Sequence, residues 1–150
     1  LTSSNPSFNF YAPTAAIYTH ARFLPGSIVE DSTLQDVLIA EGCRIRKAEI
    51  THSIVGIRSQ IAEGTVVRDS IIMGADYYEP KRHREVPLGI GKNCLIESAI
   101  LDKNVQIGDG VVIKPFPRDK DIDHELYFVR DGIVVIAKDI VVPSGTRIEP

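Results

Sequence analysis

The sequence has 150 residues, of which 25% are charged and 43% are hydrophobic, and a formal net charge of -3. This composition excludes wholesale disorder, and the slight negative charge argues against a nucleic-acid or anionic-membrane binder that works by bulk charge. No apolar run approaches the ~18 residues of a membrane span, and no signal peptide is visible at the start. We therefore expect one cytoplasmic domain, with Cys43 and Cys94 as reduced, small apolar side chains.

Residues 1 to about 25 differ from the rest of the chain. They combine a polar start with aromatic residues scattered among proline and alanine, for example Phe8, Tyr18 and Phe23. Exposure of so many aromatic side chains to water is unfavourable, so we interpret the segment as an extended linker whose aromatic residues anchor it to another surface. Because the chain begins within such a linker and without a methionine, we expect an excised domain.

From about residue 26, branched aliphatic residues dominate; the whole chain has 20 isoleucines and 14 valines but no tryptophan. Their stiff side chains favour strands. They recur every six residues, a period that suits neither a helix nor a plain amphipathic strand. The hexads are Ile39–Ile45, Val55–Ile61–Val67, Ile90–Ile96, Leu101–Ile107–Ile113 and Ile136–Val142–Ile148.

A longer period connects similar tetrads. Those that begin at Asp36, His52 and Asp69 are 16 and 17 residues apart, and the one at Ser98 follows after 29. The excess of about 12 residues falls on 76–87, which is rich in tyrosine, proline and charge. We predict a loop there, and a second loop over about 115–123, where the hexads stop again.

Three hexads per coil predict an all-β fold, a parallel β-helix in which each aliphatic side chain packs on its equivalents in the coils above and below. Corner glycines would supply positive φ at little cost. By analogy with other hexapeptide coils, we expect the helix to be left-handed, contrary to the usual crossover rule. A β-sandwich with accidental spacing is the alternative, although its turns would recur every 8–12 residues.

No set of residues suggests catalysis or a metal site. The four histidines, His20, His52, His83 and His124, lack the spacing of metal ligands. Lys103 and Lys138 each follow an apolar strand-like run. A lysine on such a rigid base suits capture of a phosphate or carboxylate, but from spacing alone a solvated lysine is the commoner case.

Several segments resemble the C-terminal β-helix domain of glucose-1-phosphate adenylyltransferase, also called ADP-glucose pyrophosphorylase, in its plant and cyanobacterial branch. The linker 5–11 is similar to the one that leaves the catalytic domain of that family. The other matching segments, in chain order, are Tyr18–Pro25, His52–Ser59, Met73–Tyr78, Leu101–Asn104 and Asp131–Lys138.

The resemblance implies a two-domain enzyme that makes ADP-glucose and pyrophosphate from ATP and glucose 1-phosphate with Mg²⁺, for glycogen or starch synthesis. The nucleotide loop and metal-binding aspartates of that family belong to a catalytic domain that we do not find in this chain. We therefore expect residues 26–150 to be a regulatory and oligomerisation domain, not catalytic alone and without a cofactor of its own. Its expected partners are its catalytic domain, sister subunits of a tetramer and small anionic effectors, and its location is the cytoplasm, or a plastid in a plant.

By motif, Lys103 and Lys138 match the two activator-site lysines of the family, and Arg22 matches an arginine linked with phosphate regulation. Asp102 and Arg130 are neighbours by motif. In this branch the activator is 3-phosphoglycerate and the inhibitor is inorganic phosphate, both of which are phosphate-bearing anions that a cluster of fixed cations suits.

Two other functions are compatible with a hexapeptide β-helix. A hexapeptide acyltransferase would use a histidine near a subunit boundary, for which His52 or His83 is the candidate. A purely structural scaffold would have no effector site at all.

Overall fold

We describe a computed structural model of the chain over residues 12–15, 17–78 and 85–150. These residues form 17 strands and no helix, so no helix among them could cross a membrane. The strands are β1 Ile28–Glu30, β2 Thr33–Ile39, β3 Arg44–Arg46, β4 Glu49–Val55, β5 Gln60–Ile61, β6 Val66–Arg68, β7 Ile71–Ile72, β8 Gly89–Ile90, β9 Leu95–Glu97, β10 Ala99–Leu101, β11 Gln106–Ile107, β12 Val112–Ile113, β13 Ile122–Asp123, β14 Phe128–Arg130, β15 Ile133–Ile136, β16 Val141–Val142 and β17 Arg147–Ile148.

The strands wind into a three-sided coil. One face is the parallel sheet β1-β3-β5-β8-β11-β16. The other two faces are continuous, because β2 and β4 each run through a corner, at Asp36 (φ 54°) and His52 (φ 46°). The second face continues through β6, β9, β12 and β17, and the third through β7, β10 and β15. This arrangement confirms the parallel β-helix and excludes the sandwich, whose sheets are antiparallel.

The hexad residues form the core. Each face contributes one column of aliphatic side chains; in the third face, Val55, Ile72 and Leu101 lie in register. Leu101, Ile107 and Ile113 are completely buried, whereas Ile39 in the first coil is half-buried. Since an aliphatic side chain contributes about 1.5–3 kcal/mol on full burial, these columns are the main favourable term of the fold.

Small polar side chains connect neighbouring coils at the corners. The hydroxyl of Ser53 accepts a hydrogen bond from the backbone of Ser70 (3.1 Å), whose own hydroxyl accepts one from Ala99 (3.1 Å). The two cysteines lie at different corners but make the same kind of contact: the backbone N–H of Cys43 donates to Ser27 Oγ, and that of Cys94 to Thr65 Oγ1. Both thiols are buried and free.

The two predicted excursions differ in structure. Of the first, residues 76–78 and 85–87 are described, while 79–84, including His83, lie outside the described residues. The second is longer than predicted and is not a plain loop. After β12 it forms an antiparallel hairpin of β13 and β14, and β14 pairs with β15 at the edge of the third face. The predicted loop is confirmed over 115–121, but its end at Asp123 was wrong, because Ile122 and Asp123 already form the first strand of a hairpin that follows no hexad.

The predicted linker, residues 1–25, is described only at 12–15 and 17–25. Tyr18 and Phe23 are 94% and 95% exposed, so neither packs against the coils. Their anchoring to another surface stays a prediction, as does the interpretation of residues 26–150 as a regulatory domain; Phe8 lies outside the described residues.

Candidate anion-binding site

Lys103 and Lys138 lie at the same corner of successive coils. The register of β10 and β15 pairs Leu101 with Ile136, and each lysine follows two residues later. Backbone hydrogen bonds hold the two turns together on both sides of the lysines, from Asp102 N–H to Ile136 O (2.9 Å) and from Asp139 N–H to Lys103 O (3.1 Å). The two ammonium groups are therefore brought together by a rigid backbone.

Both lysines bind the same carboxylate, that of Asp76. Lys103 Nζ lies 2.9 Å from Asp76 Oδ1, and Lys138 Nζ lies 2.8 Å from Asp76 Oδ2. Asp76 comes from the coil before Lys103, two residues after Gly74, whose carbonyl accepts a hydrogen bond from Asn104 N–H (3.0 Å). Three successive coils thus contribute one charged side chain each to a single cluster.

Asn104 positions the carboxylate. Its side chain is buried and its amide oxygen accepts a hydrogen bond from the Asp76 backbone N–H (2.8 Å). Its amide nitrogen donates to Asp76 Oδ2 (3.2 Å) and to Asp139 Oδ1 (3.0 Å). Asn104 also adopts a left-handed φ of 63°, which asparagine tolerates better than most residues. Its amide therefore connects the carboxylates of two coils.

The electrostatics follow from these contacts. The hydrogen bond from Lys138 and then that from Lys103 hold the pKa of Asp76 well below its ordinary range, with a smaller contribution from Asn104. In return, the hydrogen bond and charge of Asp76 raise the pKa of Lys138. At neutral pH Asp76 is thus an anion and Lys138 a cation.

The cluster is not strongly cationic on its own. Two ammonium groups face the carboxylate of Asp76, and the carboxylates of Asp102 and Asp139 are close by. The Asp102 side chain accepts a hydrogen bond from the Lys103 backbone N–H (2.7 Å) rather than binding an ammonium group. Within the described residues, an incoming anion would therefore meet a site whose positive charge is already compensated.

The cluster is also open to water. The side chains of Lys103, Asp76 and Lys138 are 30%, 38% and 50% exposed. Neither of two large grooves on the first face, of about 430 and 580 Å³, is lined by these residues. An anion held here would be contacted from one side, which leaves its other side for groups outside this cluster.

Two further predicted site residues lie elsewhere. The Arg22 guanidinium is exposed and donates to His20 O (3.3 Å). Arg130, on β14, forms an ion pair with Asp123 and donates to Ile122 O (3.0 Å) and Val129 O (2.8 Å), within its own hairpin. Of the five candidates, the structure brings together Lys103, Lys138 and Asp102.

Sequence reasoning did not find Asp76 and Asn104. Asn104 could have been found, because it follows Lys103 as Asp139 follows Lys138, so the register of the coils places Asn104 and Asp139 next to each other. Asp76 belongs to the first excursion, where the hexads stop, and no periodic signal indicated its position.

The residues considered for acyl transfer or metal binding do not form a comparable cluster among the described residues. His52 Nδ1 lies 2.7 Å from Asp69 Oδ1, and both side chains are largely exposed on neighbouring coils. His83 lies outside the described residues. In the part of the chain that the structure describes, no three histidine, cysteine, aspartate or glutamate side chains are placed to hold a metal ion.

A hexapeptide β-helix with a lysine pair at one corner defines the class of this protein: a parallel β-helix domain with a candidate anion site. The family model described as "GLGC left-handed parallel beta-helix domain" matches residues 22–147. This match also assigns the coil a left-handed winding. The small subunit of chloroplastic/amyloplastic glucose-1-phosphate adenylyltransferase of Triticum aestivum is 45% identical over 152 residues, covering 95% of this chain and 32% of that protein. The chain belongs to the glucose-1-phosphate adenylyltransferase family, and it spans about a third of the length of this relative.

Proposed function

We propose that this chain is the regulatory and oligomerisation domain of a glucose-1-phosphate adenylyltransferase, and that Lys103 and Lys138 form part of its allosteric anion site. The enzyme would make ADP-glucose and pyrophosphate from ATP and glucose 1-phosphate, in a catalytic domain that binds ATP and Mg²⁺ and is separate from these 150 residues. The proposed effectors are 3-phosphoglycerate as activator and inorganic phosphate as inhibitor. The proposed location is the cytoplasm, or a plastid if the source is a plant.

One observation carries the proposal: two lysines of successive coils bind the two oxygens of one carboxylate. Lysine recognises phosphate as a point charge, and the ammonium groups already hold two oxygens of an anion, a geometry that two oxygens of a phosphate also satisfy. Because the backbone fixes both lysines, little additional order is needed when an anion binds.

Allosteric control requires that an anion bind one arrangement of the enzyme better than another. The open side of the cluster supports this, because cations from the catalytic domain or a sister subunit can complete the coordination of the anion there. The remaining predicted residues, Arg22, Arg130 and Asp102, are proposed as neighbours that act in the assembled tetramer.

The test is effector kinetics on the complete enzyme with Lys103→Ala and Lys138→Ala. Loss of one charge-assisted contact costs roughly 1.5–3 kcal/mol, or about 10- to 150-fold in affinity. Either change should raise the 3-phosphoglycerate concentration for half-activation more than about tenfold, while turnover without activator stays near normal.

Lys92→Ala is the matched control, since Lys92 forms an ion pair with Glu63 (3.0 Å) away from this corner. The activation constant should not change in it. Unaltered activation in both lysine variants would contradict the proposal. It would favour the alternative in which the domain is a purely structural scaffold. The acyltransferase alternative predicts acetyl-coenzyme A turnover by the chain; His52 contacts the carboxylate of Asp69, but both side chains are largely exposed.

A further inference from the structure

The position of Asp76 has a consequence for any anion that binds here. Its carboxylate lies between the two ammonium groups, within 2.9 Å of each. An incoming phosphate that uses both lysines would need the place that these two oxygens occupy. Two anions cannot share that place, since like charges in contact repel strongly.

We propose that Asp76 is a tethered competitor: its carboxylate fills the anion site in the free protein, and an effector binds by displacing it from Lys103 and Lys138. This inference rests on the proposed function, because it assumes that these lysines bind the effector. It assigns to Asp76 a role in setting affinity and selectivity, without direct contact with the effector.

The displacement is structurally simple. The backbone of Asp76 stays attached through its N–H to Asn104 Oδ1, whereas its partly exposed carboxylate can rotate about χ1 into water. The ion pairs that break are exposed, and such pairs contribute only ~0.2–1 kcal/mol each. The exchange also breaks the hydrogen bond from Asn104 Nδ2 to Asp76 Oδ2 (3.2 Å), so its cost is that of two exposed ion pairs and this one bond.

The tether also makes the site selective. A side chain attached beside its partners has a high effective concentration, so a free anion of equal charge and strength competes poorly. A phosphate group carries about -1.5 to -2 charges at neutral pH against -1 for a carboxylate. Phosphate-bearing anions should therefore displace Asp76, whereas simple carboxylates such as acetate should not.

The experiment titrates inorganic phosphate and 3-phosphoglycerate into the full 150-residue chain by calorimetry at constant ionic strength. Asp76→Asn removes the competing charge and keeps the side-chain shape. Removal of two exposed ion pairs should tighten binding of both probes roughly 2- to 30-fold. Acetate should bind detectably only to this variant.

Glu63→Gln is the matched control, because it also removes one carboxylate from a lysine and changes the net charge equally, but at the Lys92 pair. Its affinity for the probes should equal that of the unmodified chain. An equal gain in Glu63→Gln would mean that general charge, not displacement, causes the effect, and would overturn the inference.

Lys103→Ala separates the two proposals. If this change abolishes binding and Asp76→Asn leaves it unchanged or weaker, the lysines bind the anion but Asp76 does not compete, so only the inference fails. If Lys103→Ala and Lys138→Ala leave binding unchanged, or if neither the unmodified chain nor Asp76→Asn binds a probe, the anion site of this chain and the inference fail together.

A second measurement needs no variant. The Asn104 side-chain amide donates to Asp76 Oδ2, so displacement removes this partner. In amide NMR spectra of the unmodified chain, phosphate should shift the Asn104 side-chain signals with the same saturation as the calorimetric titration, and acetate should not. Phosphate binding without a shift of these signals would contradict displacement.

Discussion

Asn104 and Asp76 are joined by two hydrogen bonds in opposite directions, Asp76 N–H to Asn104 Oδ1 and Asn104 Nδ2 to Asp76 Oδ2. The pair connects two coils at the corner where the lysines lie. Because Asn104 is also bound to Asp139, its side chain stabilises the coil and also orients the candidate site.

Asn104→Ala should therefore destabilise the chain. The change removes three hydrogen bonds and leaves the Asp76 backbone N–H without its acceptor, which costs about 1–3 kcal/mol. Asn93→Ala is the matched control, since Asn93 is exposed and also has a left-handed φ (54°). The free energy of unfolding in urea should fall about 2 kcal/mol further in Asn104→Ala. Equal losses in both variants would assign the effect to backbone conformation alone.

Gly74 should not tolerate a side chain. It has φ +90°, and a Cβ there would lie 2.0 Å from the carbonyl oxygen of Ile57 on the neighbouring coil. Gly110 has a similar φ (+69°) with open space around its Cβ position. Conformational strain alone costs ~1–2 kcal/mol, so Gly110→Ala should lose about that much in urea unfolding.

Gly74→Ala should lose clearly more, because the coils must also separate. This substitution lies two residues before Asp76, so it should weaken phosphate binding by the chain as well, whereas Gly110→Ala should not. Similar stability of the two variants would show that the close approach at Gly74 is not maintained in solution.

The ion pairs of Asp76 should make stability depend on pH at acid values. Its pKa is lower in the folded chain than in the unfolded chain, so the unfolded state takes up a proton first as pH falls. The contribution is complete above about pH 5 and decreases as pH falls below about 4, through the low folded value.

Asp76→Asn removes only this contribution, while Lys103, Lys138, Asp102 and Asp139 remain. The difference in free energy of unfolding between the unmodified chain and Asp76→Asn should thus be constant from about pH 5 to 8 and shrink below about pH 4. Since Glu63 and Glu149 also have lowered pKa values, the difference between the two proteins is the quantity to measure. A difference that grows toward acid pH would contradict the ion-pair geometry.

The two cysteines should react slowly with thiol reagents. Burial raises the pKa of Cys43 and Cys94, which keeps the reactive thiolate scarce. Both side chains are almost fully buried in different coils, so reaction requires the coils to open. The rate with a chromogenic disulfide should be at least roughly a hundredfold lower in buffer than in urea. Rapid reaction of one thiol in buffer would identify a coil that opens locally.

Much of the fold could be predicted from the sequence because a coiled chain repeats its geometry. The spacing of Leu101, Ile107 and Ile113 predicted three buried columns, and all three side chains are completely buried. The tetrad spacings of 16, 17 and 29 residues are also the observed registers, for example Val37 with Ser53 and Ile71 with Ile100. The hairpin of β13 and β14 was missed because its pairing follows no hexad.

By itself, the sequence determined the coil and the registers of its tetrads, because periodic aliphatic packing places every equivalent residue at the same corner. The family resemblance implied the pairing of Lys103 with Lys138, and the structure shows both at one corner. Only the tertiary structure decided what those lysines bind. Asp76 comes from a segment without periodicity, and its position depends on where the chain leaves the coil and on the buried amide of Asn104. Such contacts join residues far apart in sequence through side-chain geometry, which no local spacing specifies.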